Sequence, residues 1–335
     1  MSIISYALKG NLKRFDNKLK TISKNENMSL MSLRFKFLRT FVMLGSGYSD
    51  FLNYELYKKN KKEILEYASI KDQDKFYEIV SPYKDREMFS IKPLFLKNFK
   101  KYIGREYFDG GTKDELKEFL KKNKYFMQKP KNGLGGGGVC KVFSKDIDDI
   151  DAYYDKILEE GLFLEEYVSQ NSKINEICSK SVNTIRIMTF GYDGKSEILF
   201  ASMRFGDGEH DVDNFHQGGM GVLVDIDSGK LVGSAINKDL DVFDKHPFSG
   251  VKFDGFQIPN WDYIKKMVLD AAKVSDKIHV VGWDVAVTEE GAVLIEGNRR
   301  PGFDLPQVVS KRGRKDIMRT CLDKINEKEG TNYKI

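Results

Sequence analysis

The sequence predicts an α+β protein in which a helical N-terminal region precedes a larger mixed region. Apolar residues recur at helical spacing in the early stretch "LMSLRFKFLRTFVML". From about residue 90 onward, strand-like and helix-like patterns alternate, separated by turn sequences such as "YDGKS", "DIDSGK" and "TEEGA". We therefore expect a helical region over residues 1–90 and a mixed α+β region over residues 91–325.

Composition narrows the class of protein. The 335 residues are 31% charged and 41% apolar, which is typical of a globular protein. The 55 Lys and Arg stand against 50 Asp and Glu, and a net charge of +5 does not argue for nucleic-acid binding. The cysteines, Cys140, Cys178 and Cys321, are isolated and favour a reduced setting. Since neither a signal pattern nor a membrane-spanning apolar run is evident, we expect a cytoplasmic protein.

The N-terminal region is strongly basic from Met1 to about Arg39. One interpretation is a set of helices with a solvated basic face. The other is a surface that contacts anionic lipid or a lipid-linked substrate, which would place the protein at the inner face of a membrane. The sequence leaves both interpretations open, and it does not reveal the oligomeric state.

The stretch "WDVAVTEEGAVLIEGN", residues 283–298, predicts a β-hairpin that carries acid groups. Its central "EEG" suits a three-residue loop with Gly291 in a left-handed conformation. Pairing outward from that loop sets Asp284 opposite Glu296, give or take a bulge, and Asn298 on the same face. Facing carboxylates repel across a sheet, whereas Mg²⁺ accepts oxygen ligands from one or two carboxylates. We interpret the hairpin as a metal site, with a solvent-facing acidic edge as the alternative.

A glycine-rich segment, "YFMQKPKNGLGGGGVCKVF", lies between two strand-like runs. It formally matches the dinucleotide fingerprint, but the "VCKVF" that follows resembles a strand and not the required helix. A P-loop is excluded because Val139 stands where the Lys belongs. The segment therefore suits a mobile lid whose backbone amides approach phosphates, with Lys129 on the first strand reaching the same phosphates. A simple linker is the alternative.

A third segment, "GLFLEEYVSQ" at residues 161–170, reads as an apolar strand that turns polar at its end. Such a strand end can offer backbone C=O and N–H groups to the edge of an adenine ring. An ordinary strand end is the alternative.

Along the chain the glycine-rich segment comes first, "GLFLEEYVSQ" second and the acidic hairpin last. In that order the three segments resemble the ATP-grasp superfamily, and "VGWDVAVTEEGAVLIEGNRRPG" looks like its metal-binding signature. More narrowly, "SVNTIRIMT", "MRFGDGEHDVDNFHQGGMGVLVDIDSGKL" and "GYSDFLNYELYKKN" resemble the sugar-transfer-associated ATP-grasp group, over about residues 40–320. The resemblance implies two α+β subdomains that clasp ATP. The lid subdomain would cover about 112–168, and the metal-binding and acceptor subdomain about 169–325.

The resemblance also implies ATP and two Mg²⁺ ions as cofactors. Asp284, Glu296 and Asn298 correspond to the metal ligands, with Glu296 bridging the ions. The positions that correspond to the ATP-binding residues are Lys92, Lys129, Gly135, Gly136, Gly137, Gly138, Glu165, Glu166, Val168 and Glu176.

Two of these ATP-binding assignments depart from the family's pattern. Ile91 replaces the Asp that usually precedes the first lysine, so Lys97 is a rival to Lys92. Glu176, the candidate for binding ribose, lies further beyond the hinge than is usual.

ATP-grasp enzymes mostly activate a carboxylate as an acyl phosphate, which an amine or thiol then displaces. A bidentate guanidinium suits the carboxylate and the tetrahedral intermediate. The candidate catalytic residues are Arg204 and Arg186, followed by Arg300 with its neighbour Arg299. A polar loop adds His210 and His216 as candidate proton acceptors or bystanders, and Asn214, Gln217, Gly218 and Gly219 as candidate acceptor contacts.

Three functions stay open at this point. The first is an ADP-forming carboxylate–amine ligase that modifies a cell-surface polysaccharide precursor or forms a peptide bond, with small-molecule or sugar-linked substrates. The second is a kinase that phosphorylates a sugar or another small molecule. The third is a non-enzymatic nucleotide-binding module of a glycan assembly complex.

Overall fold

A computed structural model describes residues 12–82, 87–132, 138–208, 213, 215 and 218–335. The chain forms two compact units. The first contains the residues up to Val80, Lys238–Asp241 and Gly302–Ile335, and the second contains Ser81–Asn237 and Val242–Pro301. These units end at other residues than the predicted regions 1–90 and 91–325, because the C-terminal residues pack with the N-terminal helices. The α+β fold class itself is confirmed.

The described helices are α1 (Leu12–Asn25), α2 (Leu30–Leu44), α3 (Tyr48–Asn53), α4 (Lys61–Leu65), α5 (Ile70–Val80), α6 (Glu87–Ser90), α7 (Lys92–Asn98), α8 (Lys100–Ile103), α9 (Lys113–Lys122), α10 (Ile150–Glu159), α11 (Ser172–Ile177), α12 (Trp261–Ala271), α13 (Asp304–Ser310) and α14 (Lys315–Glu329). Short 3₁₀ helices occupy Leu56–Lys58 and Ser144–Asp146. Among the described residues, no helix combines the length and the apolar character that crossing a bilayer requires.

The first unit is helical, and its opening element is the hairpin of α1 and α2. Ser29 caps α2 by accepting a hydrogen bond from Ser32 N, and Gly45 ends it with φ of +67°. An aromatic cluster fixes the hairpin on the helices that follow, because the Phe37 ring lies 5.0 Å from Tyr48 and 5.4 Å from Phe51.

The C-terminal helices α13 and α14 complete this unit. The buried Gln307 side chain accepts a hydrogen bond from Ala68 N at 2.6 Å, and Lys315 N donates to Glu66 O at 3.0 Å. Gly313 allows this approach, since a Cβ there would lie 2.2 Å from the carbonyl carbon of Glu66.

The second unit contains two antiparallel sheets. The strands are β1 (Tyr107–Phe108), β2 (Tyr125–Pro130), β3 (Cys140–Phe143), β4 (Leu162–Glu166), β5 (Thr184–Tyr192), β6 (Lys195–Phe205), β7 (Met220–Val224), β8 (Leu231–Asn237), β9 (Val242–Phe243), β10 (Val280–Val287) and β11 (Ala292–Asn298). Within the described ranges, one sheet has the order β1-β4-β2-β3 and the other β11-β10-β5-β6-β7-β8-β9.

The four-stranded sheet packs against α9 and α10 around its own apolar core, with Leu116, Phe126, Ile157 and Leu164 fully buried. It lies within residues 107–166, which overlap the predicted lid subdomain. Strands β2 and β3 flank the glycine run and pair from Tyr125↔Phe143 onward, so the two predicted strands beside the run are confirmed.

The seven-stranded sheet buries one face against α7, α8 and α12. Trp283 in the middle of β10 is fully buried there and donates to Thr189 Oγ1 at 2.8 Å. Val281 and Val285 share the core with it. Because side chains alternate along a strand, Gly282 and Asp284 must lie on the opposite face.

The acidic hairpin formed by β10 and β11 has the predicted register but not the predicted turn. Asp284 pairs with Glu296, and a bulge follows directly. Val287 pairs with Ala292, so the loop has four residues, 288–291, and the prediction of three was wrong. Gly291 has φ of +153°, which favours glycine but is not the left-handed helical conformation. A Cβ at Gly291 would lie 2.9 Å from the Tyr263 ring.

Candidate functional site

The candidate site lies on the second face of the seven-stranded sheet, where neighbouring strands bring charged side chains together. Asp284 on β10 is flanked in register by Arg186 on β5 and by Glu296 on β11. Arg204 lies on β6, the next strand after β5. Residues that are more than 80 positions apart in sequence thus share one polar patch.

Two guanidinium groups hold the carboxylate of Asp284. Arg186 donates from Nε to Oδ1 and from Nη2 to Oδ2, the latter at 3.0 Å. Arg204 donates from Nη2 to Oδ2 at 2.9 Å. Burial of Asp284 favours a raised pKa, but both guanidinium charges outweigh it and hold the pKa of Asp284 well below its usual range.

This arrangement adds a second explanation of the acid pair to the predicted one. The sequence-based interpretation explained the facing of Asp284 and Glu296 by a bound metal ion. In the structure, arginines from two other strands already neutralise Asp284. The alternative of a solvent-facing acidic edge is also wrong for Asp284, which is 3% exposed.

Glu296 occupies a different environment from Asp284. It is reachable by solvent, and Asn298 Nδ2 donates to its Oε1 at 3.1 Å. Burial of the rest of its carboxyl group and the negative charge of Asp284 both raise the pKa of Glu296. Of the two acids, Glu296 is therefore the one whose negative charge the surrounding protein compensates less.

Arg204 is held from a second direction by Thr184 and Asp213. Its Nε donates to Thr184 Oγ1 at 3.1 Å and lies 3.5 Å from Asp213 Oδ2. Burial raises the pKa of Asp213, and Arg204 only partly offsets this effect. Within the described ranges, no residue accepts a hydrogen bond from Nη1 of Arg204 or of Arg186. Each guanidinium therefore keeps donors for a further anion.

A second buried carboxylate lies in the neighbouring sheet, also between two cations. Glu165 on β4 forms ion pairs with Lys129 on β2 and with Arg105, whose Nη2 lies 2.7 Å from Oε1. Burial of Glu165 favours a raised pKa, but Arg105 and Lys129 outweigh it and lower its pKa to about 2. Arg105 also donates to Leu294 O at 2.7 Å and to Ile295 O at 3.2 Å, and so connects this cluster to the strand that carries Glu296.

Lys92 completes the basic part of the site, at the start of α7. Its Nζ donates to Pro130 O at 3.4 Å, while Lys97 is exposed. Burial lowers the pKa of Lys92, partly opposed by the charge of Glu296, and the positive charge of Lys129 adds to the lowering. Of the two rival lysines, Lys92 is thus the one in electrostatic contact with the acid pair.

The structure gives less detail about the remaining residues that were predicted to contact ATP. Gly138 has φ of +74°, while Gly135, Gly136 and Gly137 lie outside the described residues. The backbone N–H of Glu166 donates to Glu106 O at 2.9 Å, so this N–H is not available to a base. Val168 follows β4 and is half-buried. Glu176 is exposed on α11 and makes no ion pair or hydrogen bond with any described residue.

The structure describes the positions of only some of the predicted acceptor-side residues. Arg299 and Arg300 directly follow β11 and are half-buried. Gly218 and Gly219 precede β7, and Gly218 has φ of +102°. The residues of this group that lie outside the described ranges are His210, Asn214, His216 and Gln217. Across the described chain, no group of three His, Cys, Asp or Glu residues is placed to hold a metal ion, so the metal assignment depends on two carboxylates and the Asn298 amide.

The family model for sugar-transfer associated ATP-grasp proteins matches residues 57–321, which is most of the chain. The chain belongs to this ATP-grasp family. No curated protein sequence matches it. The similar solved structures described next share 12–14% sequence identity with this chain.

One similar structure is the ATP-grasp ligase PsnB complexed with minimal precursor, at 13% identity and a TM-score of 0.42, covering 78% of this chain and 64% of PsnB. D-alanine–D-alanine ligase from Bacillus anthracis matches at 14% identity and 0.42, over 72% of this chain and 70% of the ligase. N5-carboxyaminoimidazole ribonucleotide synthetase from Thermotoga maritima matches at 12% identity and a TM-score of 0.43. The match covers 73% of this chain and 51% of the synthetase. These likenesses carry no argument about the activity.

Three residues of this ATP-grasp chain were missed by the sequence reasoning: Arg105, Thr184 and Asp213. Each contacts a predicted residue that lies on another element of the fold. Arg105 stands between Gly104 and a strand of two residues, so no periodic pattern marks it. Thr184 could have been found from one feature of the sequence. In "SVNTIRIMT" it precedes Arg186 by two residues and therefore lies on the same face of the strand.

The two acids of the hairpin should respond differently to neutralisation. Asp284→Asn leaves two poorly solvated guanidinium groups facing each other and should cost about 3–5 kcal/mol in the free energy of unfolding. Glu296→Gln removes a repulsive charge and should cost less than about 1 kcal/mol. Urea unfolding at neutral pH measures both values. An equal loss for the two variants would contradict the assignment of the arginines to Asp284.

The Glu165 cluster predicts a specific acid sensitivity. The folded pKa of about 2 lies below the ordinary value of 4.5. The stabilisation, on the order of 3 kcal/mol, is therefore present above about pH 4.5 and is lost as the pH falls towards 2. Glu165→Gln should reduce stability at pH 7 and flatten its pH dependence in that window. The control is Glu118→Gln, whose solvent-exposed pairing with Lys121 should leave the stability and its pH dependence almost unchanged. An unchanged pH profile for Glu165→Gln would count against the ion pairs.

Proposed function

We propose that this protein is an ATP-dependent, ADP-forming carboxylate–amine ligase. The observation that supports this most strongly is the pairing of a neutralised carboxylate, Asp284, with an available one, Glu296, beside a cluster of surplus positive charge. That cluster contains three cations, Lys92, Lys129 and Arg105, and one carboxylate, Glu165. An excess of cations beside an acidic metal-binding group suits a nucleotide triphosphate that carries Mg²⁺.

The side chains present fit a magnesium ion. Mg²⁺ prefers oxygen ligands and usually takes only one or two carboxylates from the protein together with substrate phosphates. Glu296 and Asn298 offer a carboxylate and an amide on one strand end, and Asp284 lies opposite Glu296 with its carboxylate held by Arg186 and Arg204. When bound, the ion would screen the phosphates and stabilise charge on the transferring phosphoryl group.

The chain's own residues then supply binding and orientation. Lys129 and Lys92 present ammonium groups to phosphates, and Glu165 keeps Lys129 in place through its ion pair. Arg186 and Arg204 keep Asp284 ionised and retain Nη1 donors that can hold a substrate carboxylate in the bidentate manner of guanidinium groups. Contacts with Thr184 and Asp213 hold the Arg204 side chain in this conformation.

This geometry favours a ligase over the alternatives. A carboxylate substrate needs cationic donors that are not consumed by the nucleotide, and Arg186 and Arg204 lie on other strands than the lysine cluster. The family description, with its association with sugar transfer, supports a cell-surface saccharide precursor as one substrate. A peptide or amide product is the other substrate class that the proposal includes.

Product formation tests the proposal directly. ADP release should require Mg²⁺, a carboxylate and an amine together in a screen of paired substrates, and mass spectrometry should find the amide. ADP release with a single hydroxyl acceptor would show a kinase instead. No ADP release with any pair, despite nucleotide binding, would favour a nucleotide-binding module. Glu296→Gln should lower ADP formation at least about 10²-fold while the protein stays folded.

The guanidinium fork of Arg204 should be needed for turnover. Arg204→Lys keeps a positive charge near Asp284 but loses the planar fork, and kcat should fall roughly 10²-fold. Urea unfolding of the same variant serves as the stability control. Because Arg204→Lys retains a positive charge beside Asp284, its free energy of unfolding should be higher than that of Asp284→Asn. Near-wild-type turnover would make Arg204 a structural residue only.

A further inference from the structure

Helix α2 has two opposite sides, and within the described part of the chain only one of them is covered. Leu33 and Thr40 are buried against the rest of the first unit. On the other side, a row of large apolar side chains is open to solvent, with exposed fractions of 81% for Met31, 68% for Phe35, 56% for Leu38 and 76% for Val42.

The spacing of this row makes it a continuous surface. Steps of four, three and four residues place all four side chains within one narrow stripe along the helix. Single exposed apolar residues are normal on protein surfaces, whereas contiguous exposed patches mark interaction sites. We call these four residues the α2 row.

Basic side chains border the α2 row. Arg34 and Arg39 lie on opposite sides of the stripe by helical geometry. Arg34 contacts Asp16 of α1 at 2.7 Å, and Lys20 contacts the same carboxylate at 3.0 Å. These contacts fix the lysine-bearing side of α1 beside the α2 row.

That side of α1 carries further positive charge. The lysines that repeat at helical spacing near Asp16 are Lys13, Lys20 and Lys24. The long Lys and Arg side chains can lie along an apolar surface while their charges reach outward.

Net charge is concentrated on this hairpin. Residues 12–44 contain eight Lys or Arg and two Asp or Glu, a net charge of +6, while the whole chain carries only +5. The rest of the chain is therefore slightly acidic. A second copy of the same hairpin would bring two strongly positive surfaces together, which disfavours self-association through the α2 row.

We propose that the hairpin of α1 and α2 docks on an anionic lipid bilayer. The α2 row inserts into the boundary between head groups and acyl chains, while Arg34, Arg39 and the α1 lysines contact lipid phosphates. An exposed apolar stripe bordered by basic residues is the pattern of helices that lie in a membrane interface. The proposal is independent of the ligase function, because no residue of the hairpin belongs to the candidate active site.

Vesicle co-sedimentation tests the proposal with the full chain. The protein should sediment with phosphatidylcholine vesicles that contain phosphatidylglycerol, sediment far less with phosphatidylcholine alone, and be released by salt. The double variant Phe35→Ser/Leu38→Ser should lose about tenfold or more in vesicle partitioning. Arg34→Gln/Arg39→Gln should reduce binding to anionic vesicles only. Phe248→Ser, at an equally exposed apolar residue in the second unit, is the matched control and should bind unchanged.

A fluorescent probe reports insertion itself. The native tryptophans, Trp261 and Trp283, are buried, so Phe35→Trp adds the only exposed indole within the described ranges. Its emission should shift to the blue on anionic vesicles, and thermal melts should confirm that the exposed substitutions leave the fold intact. Equal binding of wild type and Phe35→Ser/Leu38→Ser would overturn the proposal. So would wild-type oligomers that dissociate in that variant without any vesicle binding, since the occupant would then be a second copy.

Discussion

The bidentate contact between Arg186 and Asp284, reinforced by Arg204, is the constraint on which the candidate site depends. A buried carboxylate is stable only when cations or hydrogen bonds replace its water. Here the cations come from two neighbouring strands of one sheet, and their positions are fixed by strand register. Without them, Asp284 and Glu296 would face each other as two uncompensated charges, and the hairpin that ends the sheet would be weakened.

The same design recurs in the neighbouring sheet. Glu165 lies between Arg105 and Lys129 as Asp284 lies between its two arginines. Each buried acid fixes the orientation of long basic side chains that would otherwise be mobile. Two carboxylates, Asp284 and Glu165, thereby position basic side chains, while Glu296 is left available for a ligand. This division of roles underlies the proposed binding of a nucleotide with its metal. Preorganised charges of this kind are what phosphoryl and acyl transfer require.

Local patterns predicted much of this arrangement. The alternation around Asp284 and Glu296 was sufficient to predict their pairing, and the strands beside the glycine run were equally clear. The contacts of Asp284 with Arg186 and Arg204 could not be predicted, because they depend on which strands become neighbours. The same holds for Arg105, and for the packing of Gln307 against Ala68, which assigns the C-terminal helices to the first unit. The turn at Gly291 has one residue more than predicted, and the proximity of the Tyr263 ring to Gly291 could not be foreseen from local sequence.

Calorimetric titration with a non-hydrolysable ATP analogue tests the division of roles between the two acids most directly. Wild-type protein should bind the analogue more tightly with Mg²⁺ than with a chelator. Glu296→Gln, which should stay folded, should lose this metal dependence while keeping the weaker metal-free binding supplied by Lys92 and Lys129. Metal-dependent binding that is as strong in Glu296→Gln as in wild type would contradict the account.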